Sequence, residues 1–94
     1  MRKNDKKLDN ALRQTLTEVC EFALDHCEGY QWISHTVNYN NFPQSLRITC
    51  MFKDQQSADN EAQQGQLLQM IVNRLNSLSI QLKKPKQQIC FESE

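Results

Sequence analysis

The chain's four cysteines and two histidines are the residues that could bind a metal. Cys20 and Cys27 fall on one predicted helix, about 10.5 Å apart along its axis, whereas the ligands of a single zinc ion lie within a few ångström of each other. The sequence contains no C-x-x-C and no H-x-x-x-H spacing. It therefore predicts no metal site, and small buried side chains are the ordinary interpretation of these cysteines.

Cys50 and His35 are the one pair that resembles a nucleophile with its base. If the loop between their strands centres on Phe42, His35 lies nearly opposite Thr49 and so close to Cys50. Both side chains alternate toward the core, where a thiol is inert, so a hydrogen-bonded core histidine is favoured over a catalytic one. The chain has only two glycines, which excludes a Gly-rich phosphate loop. We expect no catalytic residue, no cofactor and no enzyme.

The element that carries Cys20, Cys27 and His26 is a helix predicted from Asp5 to Glu28. Its apolar residues recur at spacings of three and four, which is the pattern of an amphipathic helix. Gly29 suits the left-handed residue that ends a helix. The residues that share the apolar stripe are Leu8, Ala11, Leu12, Val19, Phe22, Ala23 and His26.

His35 and Cys50 belong to a predicted β-hairpin between Tyr30 and Lys53. Apolar and polar residues alternate along two runs, which predicts two strands with one buried face each. A five-residue loop, 40–44, contains Asn and Pro and joins them. In the first run Ile33, Val37 and Tyr39 face the core, and in the second Leu46, Ile48, Cys50 and Phe52 do so.

A second helix is predicted over residues 58–78, followed by a last strand over residues 87–92 and a possible short strand over residues 79–82. Gly65 interrupts this second helix and predicts a kink or a close helix crossing there. The whole chain, residues 1–94, is predicted to be one α+β domain with the order α-β-β-α-β. Two amphipathic helices pack on one face of a three-stranded, mostly antiparallel sheet.

The other face of this sheet is a candidate binding surface. We expect Trp32, Thr36, Arg47, Met51 and Lys53 to share it. An aromatic side chain next to two basic ones suits stacking and clamping of a single-stranded nucleic acid, but the same set suits a protein partner. A third interpretation is that Trp32 only caps the edge of the core. The basic turn of Lys83, Lys84 and Lys86 is ordinarily a solvated loop.

A second candidate surface is the acidic half of the first helix. Glu18, Glu21, Asp25 and Glu28 follow one another without an intervening Lys or Arg. This arrangement opposes the helix dipole, which favours cations at the C-terminal end. It predicts either an acidic patch for a basic partner or a surface selected only for solubility.

Composition limits the classes of partner. Eleven basic and eleven acidic residues cancel, so no bulk attraction to nucleic acid or to an anionic membrane is expected. No apolar run is long enough to span a membrane, and no signal-peptide pattern follows the basic N-terminus. We therefore expect a cytoplasmic protein whose cysteines remain thiols.

Several stretches resemble ribosome-binding factor A, a family with a type II KH-like arrangement. They are the helix start 8–14, the hairpin 33–52, Gly65 ahead of Arg74-Leu75, and Pro85 ahead of 89–92. The chain also resembles a small bacterial family without an assigned function. The first resemblance implies a KH-like fold and a role on RNA or the ribosome.

The function expected from the sequence is that of a non-enzymatic binding or adaptor module that acts on another protein through a surface. The alternative is a nucleic-acid- or ribosome-associated factor that uses the open sheet face. A homodimer through the strand Ile89–Phe91 is a further expectation, because that strand is predicted to lie at a sheet edge.

Overall fold

The computed structural model of the chain describes residues 3–93. The element order is α-β-β-α-α-α-β, with a 3₁₀ helix at Tyr39–Asn41 between the first two strands. The elements are α1 (Lys3–His26), β1 (Tyr30–Thr36), β2 (Arg47–Phe52), α2 (Gln55–Gln64), α3 (Gln66–Ser77), α4 (Pro85–Gln88) and β3 (Ile89–Ser93). The α+β class and the predicted succession of helical and strand regions are confirmed.

The three strands form one mixed sheet in the order β1-β2-β3. β1 and β2 are antiparallel, but β2 and β3 are parallel, so the expected mostly antiparallel sheet is corrected for the second pair. The chain between β2 and β3 carries three helices, and a crossover of that kind returns it in the direction that parallel pairing requires. β3 is an edge strand, as predicted, and dimerisation through it stays a prediction.

The core lies between the helices and the inner face of the sheet. α1 packs on β1 and α3, while α2 packs on β2 and β3. The largest fully buried side chains are Leu12, Val19, Leu46, Ile48, Cys50, Phe52, Leu67, Ile71 and Leu75. Among residues 3–93, no helix has the length and apolar character needed to cross a membrane.

The predicted second helix is two helices, because the chain breaks at Gly65. This residue takes the left-handed conformation with φ 71° and donates its N–H to Glu61 O at 3.0 Å. The Glu61 carboxylate then accepts the N–H of Leu67 at 3.0 Å, in the first turn of α3. A kink at Gly65 was predicted, and the structure places a helix end and a helix start there.

The connection between β1 and β2 is longer than the predicted five-residue loop. Residues 37–39 and Leu46 lie outside the strands, because polar side chains satisfy the backbone there. The Asn38 side chain accepts the N–H of Asn40 at 3.0 Å, and the Ser45 hydroxyl donates to Asn38 O at 2.7 Å. These bonds replace the two-residue alternation that the sequence indicated.

The predicted short strand at 79–82 is absent from the described chain, because this stretch closes α3. Ser79 takes the left-handed conformation with φ 64°. Its N–H donates to Asn76 O, and the N–H of Ile80 donates to Leu75 O, both at 2.9 Å. This is a Schellman ending with serine where glycine is usual, so the sequence signal was weak.

The last strand begins later than predicted. Residues 85–88 form the short helix α4, which starts with Pro85 at a position where its missing N–H costs nothing. β3 then runs over Ile89–Ser93.

Candidate functional site

Side chains on the central strand β2 alternate between the two faces of the sheet. Ile48, Cys50 and Phe52 are completely buried on the inner face. Arg47, Thr49 and Met51 therefore point to the opposite face. This second face is called the outer face below.

The outer face brings together four of the five residues predicted for a binding surface. Trp32 lies opposite Met51, and Thr36 lies opposite Arg47, so all four share one face across two strands. Trp32 keeps 44% of its surface exposed. The outer face thus has an aromatic residue at one end and a basic residue at the other.

The edge strand β3 completes the outer face. Cys90 lies beside Thr49, and Glu92 beside Met51. The Trp32 end of the face therefore carries an acidic neighbour, whereas the Arg47 end does not.

Lys53, the fifth predicted residue, lies apart from the other four. It follows the end of β2 and donates its backbone N–H to Gly29 O at 2.8 Å. Its side chain lines a polar cleft of about 370 Å³ between the end of α1 and α2. The expectation that Lys53 belongs to the Trp32 surface is therefore wrong, because the strand and its alternation end at Phe52.

Arg47 opens into a basic cleft that the sequence did not predict. This cleft has a volume of about 280 Å³, and no acidic residue lines it. Its lining residues are Gln44, Arg47, Lys83, Lys84, Gln87 and Gln88. Lys83 and Lys84, which the sequence pattern places in a solvated turn, are therefore neighbours of Arg47. The chain before α4 lies beside the start of β2 at this point.

Gln88 holds the two walls of the basic cleft together. Its side-chain amide donates to Pro43 O at 2.9 Å and to Leu46 O at 3.0 Å, and its carbonyl accepts the N–H of Lys84 at 3.2 Å. Only 8% of this residue is exposed. The sequence carried no signal for this role, since two successive glutamines between Lys86 and Ile89 look like any surface residues.

The predicted acidic patch on α1 is divided among three environments. Glu18 forms an ion pair of 3.3 Å with Arg74 of α3. Glu21 lines a groove that also contains Arg13. Glu28 lies beyond the helix and lines the polar cleft with Lys53, so these three carboxylates lie in different surroundings.

Asp25, the fourth residue of that patch, is exposed on α1. Because Glu18 is paired with Arg74 and Glu28 lines a different cleft, the four residues do not form one uniform anionic surface.

Cys50 and His35 both point to the inner face, as predicted, but His35 is not opposite Thr49. His35 lies opposite Ile48, and Cys50 lies opposite Ile33, because the hairpin register is shifted by one residue. Burial raises the pKa of the Cys50 thiol to about 12. Burial also lowers the pKa of His35, with the nearby Arg13 charge adding to that shift. The pair therefore consists of a protonated thiol and a neutral imidazole at neutral pH.

Glu61 is a buried carboxylate that the sequence did not single out. Only 7% of it is exposed. Burial and the adjacent Glu61 raise the pKa of Cys27 to about 11, which keeps this thiol protonated too. Within the described part of the chain, no three His, Cys, Asp or Glu side chains gather in a way that could hold a metal ion.

Comparison with known proteins finds no protein-family model, no curated protein and no solved structure that matches this chain. The resemblance to ribosome-binding factor A therefore stays a prediction.

Proposed function

We propose that the chain is a non-catalytic, cytoplasmic binding module that docks a protein partner on the outer face of its sheet. One observation carries the proposal. Trp32 is 44% exposed and lies opposite Met51 on a face that also holds Arg47.

The composition of the outer face supports a protein partner. Tryptophan and arginine are the residues most enriched among those that dominate binding energy, and methionine is enriched at interfaces generally. Ser34 and Thr49, which are paired at the centre of the face, are small enough to let another backbone approach closely. The formal net charge of zero argues against a partner recognised by bulk electrostatics.

A single-stranded nucleic acid is the second candidate, and the basic cleft favours it. Arg47 belongs both to the outer face and to the cleft with Lys83 and Lys84. Trp32 and Thr36 are four residues apart on β1, about 13 Å along the strand. A single-stranded nucleic acid that crosses the outer face would stack a base on Trp32 and place phosphates at the basic cleft. This candidate agrees with the expected role on RNA or the ribosome.

The first experiment is an amide NMR titration with short single-stranded RNA and DNA at low and then physiological salt. Phosphate contacts release counterions and therefore weaken as salt rises. Shifts at Trp32, Arg47 and Lys84 that fade with salt would favour the nucleic-acid candidate. Unchanged spectra would leave the protein-binding proposal.

The protein-binding proposal is tested by capture from nuclease-treated extract with the wild-type chain, Trp32→Ala and Leu24→Ala. Leu24 is the matched control because, among the side chains that the structure describes, it is the other large apolar one that is exposed, at 58%, and it lies on α1. A protein retained by the wild type and by Leu24→Ala, but lost with Trp32→Ala, is the expected result. Equal capture by all three, or loss with Leu24→Ala alone, would overturn the proposal.

A further inference from the structure

A groove runs between α1 and the free edge of β1. The strand order leaves β1 without a hydrogen-bonded neighbour on one side within residues 3–93, and the unpaired N–H and C=O groups of such an edge can pair with another strand. The groove has a volume of about 360 Å³. Leu16, Cys20 and Ile33 line it as apolar contacts.

One face of α1 forms the long wall of this groove. Arg13, Thr17, Cys20 and Leu24 recur at spacings of four, three and four, so they lie in one row along the helix. The first three line the groove, whereas Leu24 lies one turn beyond its lining.

Opposite charges lie at the two ends of the groove. Arg13 lies toward His35, whose titration it influences, and Glu21 lies toward the start of β1. These two residues are eight positions apart on the helix, about 12 Å along its axis. Four residues of extended chain span about 13 Å, and residues at alternate positions of a strand face the same side.

Arg13 and Glu21 can each form an ion pair with a side chain of a partner. Arg13 already contacts Asp9 at 2.8 Å, but 67% of its side chain is exposed, and a guanidinium has five N–H donors. Asp9 also accepts a hydrogen bond from the Tyr39 hydroxyl at 2.8 Å, which fixes the position of Asp9 in its ion pair with Arg13. No ion pair of Glu21 occurs within the described residues.

We propose that this groove binds an extended segment of another protein, which pairs antiparallel with β1 and presents acidic, apolar and basic side chains at alternate positions. The acidic side chain meets Arg13, the apolar one covers Ile33 and Cys20, and the basic one meets Glu21. Backbone hydrogen bonds to the edge supply much of the affinity, and the three side chains supply specificity.

A second copy of this chain would bring its own α1 to the same edge. Paired strands lie about 4.8 Å apart, whereas packed helices need axes 8–10 Å apart. Because α1 packs against β1, two copies joined through β1 would force their first helices together. A lone extended segment carries no such helix.

The test is fluorescence anisotropy with a labelled short peptide that contains the core Asp-Thr-Val-Thr-Lys, against the same peptide with the core Lys-Thr-Val-Thr-Asp. The wild-type chain should bind the first about tenfold more tightly, since two exposed ion pairs become two repulsive ones. The variant Arg13→Glu with Glu21→Arg should invert the preference. Asp59→Arg, an exposed acidic position on α2 outside the groove lining, should keep the wild-type preference.

Backbone pairing is tested with N-methylated versions of the preferred peptide. Methyl groups on the amides that face β1 should abolish binding, whereas methyl groups on the alternate amides should not. Equal tolerance at all positions would overturn the strand-pairing part of the proposal. Preference for the reversed peptide, the same preference in the charge-exchanged variant, or no binding at about 1 mM would overturn the proposal itself.

Discussion

The two faces of β2 have the same length and the same backbone, yet they differ in what surrounds them. On the inner face, Ile48, Cys50 and Phe52 have no exposed surface. On the outer face, Arg47 is exposed, while Thr49 and Met51 are half-buried beside their neighbours on β1 and β3. Successive residues of one strand therefore belong to the core and to a surface that the fold leaves uncovered.

This difference separates residues that are required for folding from residues whose exposure on the outer face the fold does not explain. Burial of the inner face excludes water from apolar surface and stabilises the chain. The outer face keeps Trp32 exposed, although an exposed large apolar residue contributes little to folding. If the outer face serves binding, substitutions on the two faces should have separable effects.

The largest expected effect comes from truncating the inner face. Phe52→Ala should lower the free energy of unfolding by about 3–5 kcal/mol, because it leaves a cavity where the ring packs near Tyr30 and Phe91. Met51→Ala, one residue away on the outer face, is the control and should cost about 1 kcal/mol or less. Urea denaturation measures both. Equal losses for the two variants would contradict the separation of the faces.

An intermediate effect is expected at Gln88, which joins the two walls of the basic cleft. Gln88→Leu should lower the free energy of unfolding by about 2 kcal/mol, because it leaves the carbonyls of Pro43 and Leu46 without their side-chain donor. Gln87→Leu is the matched control, since Gln87 is exposed. Thermal denaturation of both variants checks this, and a Gln88→Leu variant as stable as the control would show that the cleft needs no such support.

Hydropathy patterning predicted the element types because each period reflects one buried face. The stripe on α1 and the alternation on β2 both follow from that rule. The parallel pairing of β3 was missed because apolar periodicity does not report strand direction, although a helical connection between β2 and β3 favours it. The helix ending at Ser79 also escaped prediction, because serine rarely takes that conformation.

The candidate site was predictable only in part, for the same physical reason. Alternation placed Trp32, Thr36, Arg47 and Met51 on one face, and the observed register agrees. The cleft that joins Arg47 to Lys83 and Lys84 depends on contacts between residues far apart in the chain, held by Gln88. No local pattern reports such contacts. Lys53 was misplaced because alternation was extended past the end of the strand.

A pH-dependent effect concerns the thiol proton of Cys50 on the inner face. The Cys50 thiol has a pKa raised to about 12 by burial in the folded chain, against an ordinary value near 9. The unfolded chain therefore loses this proton first, so stability is complete below pH 9 and falls as the pH rises toward 12. The expected contribution is about 1.4 kcal/mol for each pH unit.

The measurement is the slope of unfolding free energy against pH above 9 for the wild type, Cys50→Ala and Met51→Ala. Cys50→Ala should have the shallower slope, whereas Met51→Ala removes no titrating group and should keep the wild-type slope. Cys27 and Tyr30 also have raised pKa values from burial, so part of the slope remains in every variant. Identical slopes for all three chains would show that the Cys50 proton is not linked to folding.

The smallest expected effect concerns the polar end of the outer face. Thr36→Ala and Arg47→Ala should each change the free energy of unfolding by less than about 0.5 kcal/mol, because both residues are exposed and pair only across the strands. The two faces are then distinguished by binding and not by stability. Arg47→Ala should weaken the affinity for any ligand that reaches both the outer face and the basic cleft. A large loss of stability in Arg47→Ala would instead show that this residue serves folding, and the outer face would need no partner to explain it.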